Sequence, residues 1–439
     1  MCFPITATIS ADAPEDGTGT WSWSPPANST APSETMCTPG TTFTTTFCTG
    51  PCPQKYTISL GCYFGTETCS ATADVTVNGS CTDAGVATPT GNFSLRVLGS
   101  SQGTFTVSGG DPVSGPVYNT GASTQLLVPS NEGPLLLQPT SNVDGALILP
   151  DLTFDNASST PLPANLLVLS MAATSDGVYA YGGGFGLNQS TPNALLQWGI
   201  ENYGVTPLTP PTLPLPTGTP AAIAIDPTNH FLYVAMGSGG TVEAFTIGTG
   251  GALTANGTTT VGQKADHLAV TPDGKALFVA DSGDAYVAQY TIGSTGALTP
   301  ASPATVPLQF ADAGSGNVAN VALWQSGSSI YAYATLESIQ TFSVTNDLLV
   351  PTSAAPIALP APNASVEGFS CQNVAVDQGA GILLVACPQV YQLLGYTIGA
   401  GGALTPASWS PYTPDLSYPT AGISQAGPLF VSVFDVVNL

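Results

Sequence analysis

The chain has 439 residues, of which 43% are apolar and only 7% are charged, and its formal net charge is −23. Its four basic residues, Lys55, Arg96, Lys264 and Lys275, are scattered. Because a polyanion site needs clustered Lys and Arg, no nucleic-acid partner is expected, and anionic membranes are poor partners. No apolar run reaches the roughly 18 residues that span a bilayer, so no transmembrane segment is predicted.

Cysteine usage predicts an oxidising compartment. Seven of the nine cysteines lie between Cys2 and Cys81, a density typical of secreted modules. The start of the chain shows neither the n-region nor the h-region of a signal peptide, so we expect a mature exported chain or one whose signal peptide is not included. The scarcity of cations leaves few trypsin sites. These features together favour an extracellular or cell-surface location.

The first 81 residues alternate as strands do, between turns of Pro, Gly and Asn. The predicted strands are residues 5–9, 19–23, 41–47, 56–63 and 70–77. The run YTISLGCYFGTETCSATADVTV resembles the last hairpin of bacterial Ig-like or PKD-like domains, and GTWSWSP resembles an early core strand. That resemblance implies a disulfide-rich Ig-like β-sandwich over residues 1–81. Residues 82–92, rich in turn formers, are predicted to be a linker.

Two disulfides are predicted in this module. Cys62 and Cys69 flank the hairpin turn and can face each other, while Cys48 and Cys52 can close a tight loop. Three cysteines have no assigned partner: Cys2, Cys37 and Cys81. The alternatives are a free thiol, an intermolecular disulfide, or a lipid-modified Cys2.

Residues 267–300 read HLAVTPDGKALFVADSGDAYVAQYTIGSTGALTP, a series of strand-like runs separated by turn signals. Similar text recurs at residues 223–254 and 374–406. Self-similarity with a period near 40–50 residues is typical of propeller blades, and each blade needs neighbours to bury its faces. We therefore predict an all-β chain with a propeller over residues 93–439.

The repeat predicts a seven-bladed ring. Six inner strands are expected to begin near Gln125, Ala164, Ala221, His267, Val318 and Cys371. The seventh blade is completed by pairing residues 93–107, as its outer half, with two strands from the C-terminus. Two Pro-rich stretches, 206–220 and 351–362, are interpreted as loops between blades.

The motif HLAVTPDGKALFVADS and the phrases YTIGSTGALTP and YTIGAGGALTP resemble the lactonase-type seven-bladed propellers, relatives of 6-phosphogluconolactonase and of the YVTN surface-layer repeats. The resemblance covers roughly residues 120–410. It implies channel-lining polar residues: Pro-Arg-His before an inner strand and Asn-Glu after the second strand. Here His267 keeps the His, Asp266 stands at the Arg position, and Asp281-Ser282 stand at the Asn-Glu positions. One of the three functional positions is therefore retained.

The residues themselves offer few catalytic candidates. His230 lies in a turn and is expected to be solvated, whereas His267 opens an inner strand and is either a channel-facing base or a hydrogen-bonded strand-end residue. Lactone hydrolysis needs a base and a group that stabilises the oxyanion. Arg96, the one arginine, is expected on an outer strand, far from the channel. His267 is therefore a weak catalytic candidate.

Metal and cofactor signals are equally sparse. Asp281 and Asp284 share a turn and offer oxygens to Ca²⁺, but two carboxylates are weak evidence for a site. No matched CxxC pairs, P-loop, Rossmann fingerprint or nucleophile elbow occurs, and the glycine-rich run 182–186 opens no predicted helix. No cofactor is predicted.

A disulfide between Cys371 and Cys387 is predicted from hairpin geometry. The two cysteines are equidistant from Gly379 in CQNVAVDQGAGILLVAC. Residues equidistant from an antiparallel turn lie about 4.5–5.5 Å apart at Cα, which is within disulfide range. The alternative is a pair of buried free thiols.

Three functions are compatible with these features. The first, which we favour, is a secreted non-enzymatic structural or adhesive protein that assembles with itself into a filament or surface layer through contacts between the Ig-like module and the propeller. The second is a lactonase-like hydrolase that uses His267. The third is a binder of carbohydrates or other small ligands at the channel mouth.

Overall fold

The structure, a computed structural model, describes residues 159–188, 190–201, 204–308, 319–360, 371, 373–387 and 392–412 in full, and only strands elsewhere. The chain divides into two compact units, Met1–Gly91 and Asn92–Leu439. Within the described residues, no helix is long and apolar enough to cross a membrane.

The structure describes six strands in the first unit. They are β1 (Cys2–Thr8), β2 (Gly17–Thr20), β3 (Thr35–Cys37), β4 (Thr42–Cys48), β5 (Lys55–Phe64) and β6 (Glu67–Thr76). β1 pairs with β4, and a second sheet has the order β3-β2-β5-β6. The backbone register sets Cys62 opposite Cys69, and Cys2 opposite Cys48. The side chains of this unit lie outside the described residues, so the Ig-like assignment and the disulfides Cys62–Cys69 and Cys48–Cys52 stay predictions.

The described strands of the second unit form seven antiparallel sheets, which we call blades 1 to 7. Blade 1 holds β10 (Leu126–Val128), β11 (Leu135–Pro139), β12 (Asn142–Ile148) and β13 (Phe154–Pro161). Blade 2 holds β14 (Leu166–Ala173), β15 (Tyr179–Gly186), β16 (Ala194–Glu201) and β17 (Gly204–Pro214). Blade 3 holds β18 (Pro220–Ile225), β19 (Phe231–Met236), β20 (Thr241–Ile247) and β21 (Leu253–Thr260).

The remaining blades follow the same plan. Blade 4 holds β22 (His267–Val270), β23 (Ala276–Asp281), β24 (Tyr286–Ile292) and β25 (Leu298–Pro307). Blade 5 holds β26 (Asn320–Ser326), β27 (Ser329–Thr335), β28 (Ser338–Thr345) and β29 (Leu348–Pro351), with β30 (Ile357–Ala358) also paired to β28. Blade 6 holds β31 (Asn373–Asp377), β32 (Ile382–Cys387), β33 (Gln392–Ile398) and β34 (Leu404–Pro406). Blade 7 holds β7 (Phe93–Ser100), β8 (Thr104–Ser108), β9 (Val117–Asn119) and β35 (Leu429–Val436).

The blades form a closed ring. The innermost strands contact one another in the cyclic order β10, β14, β18, β22, β26, β31, β35 and back to β10. Inner strands of blades 1 to 6 begin within two residues of the positions that the repeat predicts. The apolar core is divided into layers between adjacent blades: Phe278 of blade 4, for example, shares a cluster with Ala332 of blade 5. This is how each blade buries the faces that it cannot cover alone.

Blade 7 joins the two ends of the propeller unit. β35 pairs with β7 along its whole length, from Leu429 opposite Ser100 to Val436 opposite Phe93. The sheet order β35-β7-β8-β9 takes one described strand from the C-terminal end and three from the N-terminal end. The expected division into two and two strands is therefore not what the described strands show. The predicted earlier C-terminal strand, around residue 423, lies outside the described residues.

The Pro-rich stretch 206–220 was expected to be a loop, and this expectation is wrong for its first part. Residues 204–214 form β17, the outermost strand of blade 2. Proline cannot donate to a sheet ladder, so a run of prolines argues against a central strand, but an edge strand needs donors on one side only. In the second stretch, 351–362, Ile357 and Ala358 likewise pair with β28.

Glycines in the repeated phrase of the TIGSTGALTP type connect neighbouring blades through hydrogen bonds to their carbonyl groups. Tyr181 of blade 2 donates a hydrogen bond to the Gly251 carbonyl of blade 3 over 2.7 Å. Tyr233 bonds Gly296 and Tyr333 bonds Gly402 in the same way, over 3.0 Å and 3.1 Å. The motif is therefore an attachment between blades as well as a turn.

Cys371 and Cys387 form a disulfide, and both residues are buried. The predicted register was wrong by one residue, because Asn373 pairs with Ala386 and Asp377 with Ile382. The turn therefore holds four residues, 378–381, where three were expected. The Cα atoms lie 3.8 Å apart, closer than the expected spacing.

Candidate functional site

His267 is the first residue of the inner strand β22, where the sequence predicts it. One ring nitrogen is hydrogen-bonded to the backbone of Val321 on the inner strand of blade 5. Nδ1 is buried and has no partner in the described part of the chain. Burial lowers the pKa of His267 to about 4, so the imidazole is neutral at pH 7. A base with so low a pKa is weak, because general bases work best near the operating pH.

Asp266 occupies the position at which the lactonase-type motif carries Arg. Its carboxylate accepts the Ser282 backbone N–H over 2.9 Å and is also bonded by the Ser282 side chain and the Ala319 backbone. Burial raises the pKa of Asp266, and these hydrogen bonds and Lys264 oppose that rise. Asp266 therefore ties the start of β22 to the end of β23 and to the segment before β26.

Asp281 and Asp284, the weak metal candidates, do lie together but serve the backbone. The buried Asp281 carboxylate accepts the N–H groups of Gly283 and Asp284, at 2.8 Å and 3.0 Å, and that of Lys264 at 3.2 Å. Asp284 accepts both the backbone and the side-chain N–H of Gln263. Burial raises the pKa of Asp281, and the Asp284 charge adds to this rise.

The two carboxylates converge on Gly262. A Cβ added there would lie 2.2 Å from Asp281 Oδ2, 2.2 Å from the Tyr286 hydroxyl and 2.7 Å from Asp284 Oδ2. The glycine backbone thus fills the place toward which these oxygens point. Among the described residues, no group of three or more His, Cys, Asp or Glu side chains is arranged to hold a metal ion.

The other basic candidates lie elsewhere. His230 is exposed, and its Nδ1 contacts the Thr228 hydroxyl at 2.7 Å, as expected for a turn residue. Arg96 lies on β7, which is the second strand of blade 7 and not an outer one as predicted. Among the described strands of blade 7, β7 lies next to β35, the strand that contacts the inner strands of blades 1 and 6. The side chain of Arg96 lies outside the described residues.

A cavity between blades 5 and 6 was missed by the sequence reasoning. It is lined on one side by Trp324, Ser326, Ser329 and Tyr331. The available signal was Trp324, which stands at a position where other copies of the repeat carry Thr or Asp.

Comparison with known proteins agrees with this geometry. Residues 198–318, which include blades 3 and 4, match the family described as "Lactonase, 7-bladed beta-propeller". The ring therefore shares the seven-bladed propeller architecture that this family description names. No curated protein sequence matches the chain significantly.

Two solved structures share the fold at low sequence identity. One is a functionally unknown protein from Desulfotomaculum acetoxidans, with a TM-score of 0.57, 15% identity, and coverage of 77% of this chain and 98% of that one. The other is the periplasmic gluconolactonase PpgL of Pseudomonas aeruginosa, with a TM-score of 0.55, 13% identity, and coverage of 72% and 95%. Identities this low establish the fold alone.

The buried carboxylates predict a pH-dependent stability. Because the pKa of Asp266 is raised in the folded state, the folded protein binds that proton more readily than the unfolded chain. This contribution to stability is present at acidic pH and is lost as the pH rises through the raised pKa. We expect the melting temperature to rise as the pH falls from neutrality to just above the ordinary Asp pKa of about 4, and Asp266→Asn to reduce that rise.

A control isolates Asp266 from the general loss of negative charge. Desolvation is the largest single influence on the exposed Asp273 and raises its pKa, but the hydrogen bonds from Thr271 and Lys275 and the Lys275 charge together outweigh it, so the pKa is lowered. This carboxyl is thus ionised in both states over the same window, and Asp273→Asn should leave the slope unchanged. Equal slopes for both variants in thermal unfolding would contradict the assignment.

Proposed function

We propose that this protein is a secreted, non-catalytic structural or adhesive propeller that assembles with itself into an extracellular filament or surface layer. The observation that carries this proposal is the bonding of Asp266, the residue beside His267. Its carboxylate is hydrogen-bonded to Ser282 and Ala319. The polar residues at this end of blade 4 are used to join blades 4 and 5.

The negative charge of Asp266 opposes lactone hydrolysis. Attack on a lactone carbonyl develops negative charge on oxygen, which needs donors or cations directed at it. A carboxylate at the Arg position supplies charge of the wrong sign. His267, with a pKa of about 4, is also a weak base. Both features favour a structural role for the segment.

The outermost strands of the blades argue against assembly by pairing of sheet edges from two copies. β17 and β25 are largely exposed and carry several prolines, and β21 is an exposed run rich in Thr. Proline-bearing edge strands are poor templates for pairing with a second sheet. Self-association then depends on contacts between two unlike surfaces of the chain. Such contacts form a filament when successive copies do not close into a ring.

Electron microscopy of the purified full-length protein tests the proposal. We expect filaments or ordered layers whose repeat matches one chain, with their abundance increasing with protein concentration. Single particles of one chain at every concentration would contradict the assembly. Dissociation by salt would locate the contacts in exposed charges, whereas resistance to salt would favour the uncharged surfaces.

The second candidate is a hydrolase that uses His267. It is favoured by the buried Nδ1, whose lone pair on the neutral ring has no partner among the described residues. The family matched by residues 198–318 adds support. Hydrolysis of glucono-δ-lactone decides between the two functions. We expect a rate at the uncatalysed background for the wild type.

A matched pair of variants makes that assay decisive. Turnover above background that His267→Gln abolishes and His230→Gln preserves would establish the hydrolase and contradict the non-catalytic role. Both substitutions remove an imidazole, but His230 lies in an exposed turn. Loss in both variants would instead point to a general effect on the fold.

A further inference from the structure

The cavity between blades 5 and 6 has a volume of about 250 Å³ and an uncharged lining. Blade 5 contributes two aromatic rings and two hydroxyls: Trp324, Tyr331, Ser326 and Ser329. Blade 6 contributes the turn that follows Ile398, including Gly401. Aromatic faces combined with a few hydrogen-bonding groups are what small-molecule sites generally offer.

Trp324 departs from the rule that blades 2, 3, 4 and 6 follow. In blades 2, 3, 4 and 6 the equivalent positions, by strand register, are Thr174, Asp226, Thr271 and Asp377. Each of those side chains closes its turn by accepting a backbone N–H, as Asp377 does from Ala380 over 2.7 Å. An indole cannot accept such a bond.

The tryptophan is also unfavourable where it lies. Its Nε1–H is buried and has no acceptor among the described residues. An unsatisfied buried donor lowers stability, which offsets part of what the ring contributes by packing against the core between blades 5 and 6. A residue that departs from the pattern of its repeat and leaves a buried polar group unpaired is a candidate for a functional role.

The blade 5 hairpin is built to present this surface. Its pairing continues through Trp324–Tyr331 to Ser326–Ser329, beyond the point at which the equivalent hairpins of blades 2 to 4 stop. Gln378 of blade 6 braces it, accepting the Gln325 N–H over 3.1 Å and donating to the Leu323 carbonyl over 2.7 Å. The rings of Trp324 and Tyr331 lie 5.8 Å apart at an angle of 30°.

We propose that this cavity binds one pyranose ring of a neutral carbohydrate. A pyranose has an apolar C–H face that packs on an aromatic ring, and hydroxyls that both donate to and accept from Ser326, Ser329 and the backbone of the Gly401 turn. The uncharged lining has no cationic group that could compensate the negative charge of an acidic sugar. His267 is not among the residues that line the cavity, and the site stands independently of the proposed assembly.

Isothermal titration calorimetry of the full chain with defined trisaccharides tests the site. The probes are maltotriose, cellotriose and N-acetylchitotriose, with trigalacturonic acid as the acidic counterpart. We expect saturable binding of at least one neutral probe. Trp324→Thr should weaken it at least about tenfold while the protein stays folded, because Thr is the residue that the repeat uses at this position in blades 2 and 4.

A second variant blocks the cavity without touching the tryptophan. Gly401 has a φ of +70° and open space where a side chain would start, and Asn tolerates that conformation. Gly401→Asn should abolish binding, whereas Gly250→Asn, at the equivalent open position of blade 3, should leave it unchanged. The proposal is overturned if no neutral probe binds saturably, if only trigalacturonic acid binds, or if both Trp324→Thr and Gly401→Asn bind like the wild type.

Discussion

Deleting residues 429–439 is expected to destabilise the entire ring and not only blade 7. β35 pairs with β7 along eight residues and is the inner strand that contacts both β31 and β10. With about one hydrogen bond per residue, each worth roughly 1 kcal/mol net, the lost pairing amounts to several kcal/mol. That is comparable with the whole stability of a typical domain, about 5–15 kcal/mol.

Thermal unfolding followed by circular dichroism measures this effect. We expect the truncated protein to lose its cooperative transition or to melt far below the parent. The matched control deletes only residues 437–439, which follow β35, and should melt with the parent. A 429–439 deletion that melts at the parent temperature would show that the ring does not depend on this strand.

Gly251→Ala is expected to destabilise the protein by about 2–4 kcal/mol, the sum of backbone strain and overpacking. Gly251 has a φ of +78°, and an added Cβ would lie 2.2 Å from the ring of Tyr179 in the preceding blade. Its carbonyl also accepts the Tyr181 hydroxyl. The methyl group would therefore force blades 2 and 3 apart.

The neighbouring residue separates the two contributions. Gly250 has a φ of +85°, but nothing lies within 4 Å of its added Cβ, so Gly250→Ala should cost only the strain, about 1–2 kcal/mol. The pair repeats in blade 6, where Gly402 meets Tyr331 and Gly401 is open. Equal losses for Gly250→Ala and Gly251→Ala in denaturant unfolding would refute the attachment between blades.

Local sequence was sufficient for the blade plan. Turns such as the one after Val270 are specified by Thr, Asp and Gly within a few residues, and the strands between them by runs such as residues 276–281. Since each blade is a local unit, its inner strand could be located from one repeat to the next. The joining of Phe93–Ser100 to the C-terminal strand followed from the same repeat, because one blade was otherwise incomplete.

The tertiary structure alone decided everything that passes between blades. The prolines of β17 predict a loop from the sequence. They are compatible with a strand because β17 lies at the sheet edge, where backbone N–H donors are needed on one side only. From the sequence, Asp266 indicates only that a catalytic Arg is missing. The structure shows its carboxylate bonded to the backbone of Ala319, more than 50 residues away. Trp324 and the Gly401 turn share a cavity only because blades 5 and 6 are adjacent in the ring. Such contacts depend on the packing of distant segments, which no local pattern of residues encodes.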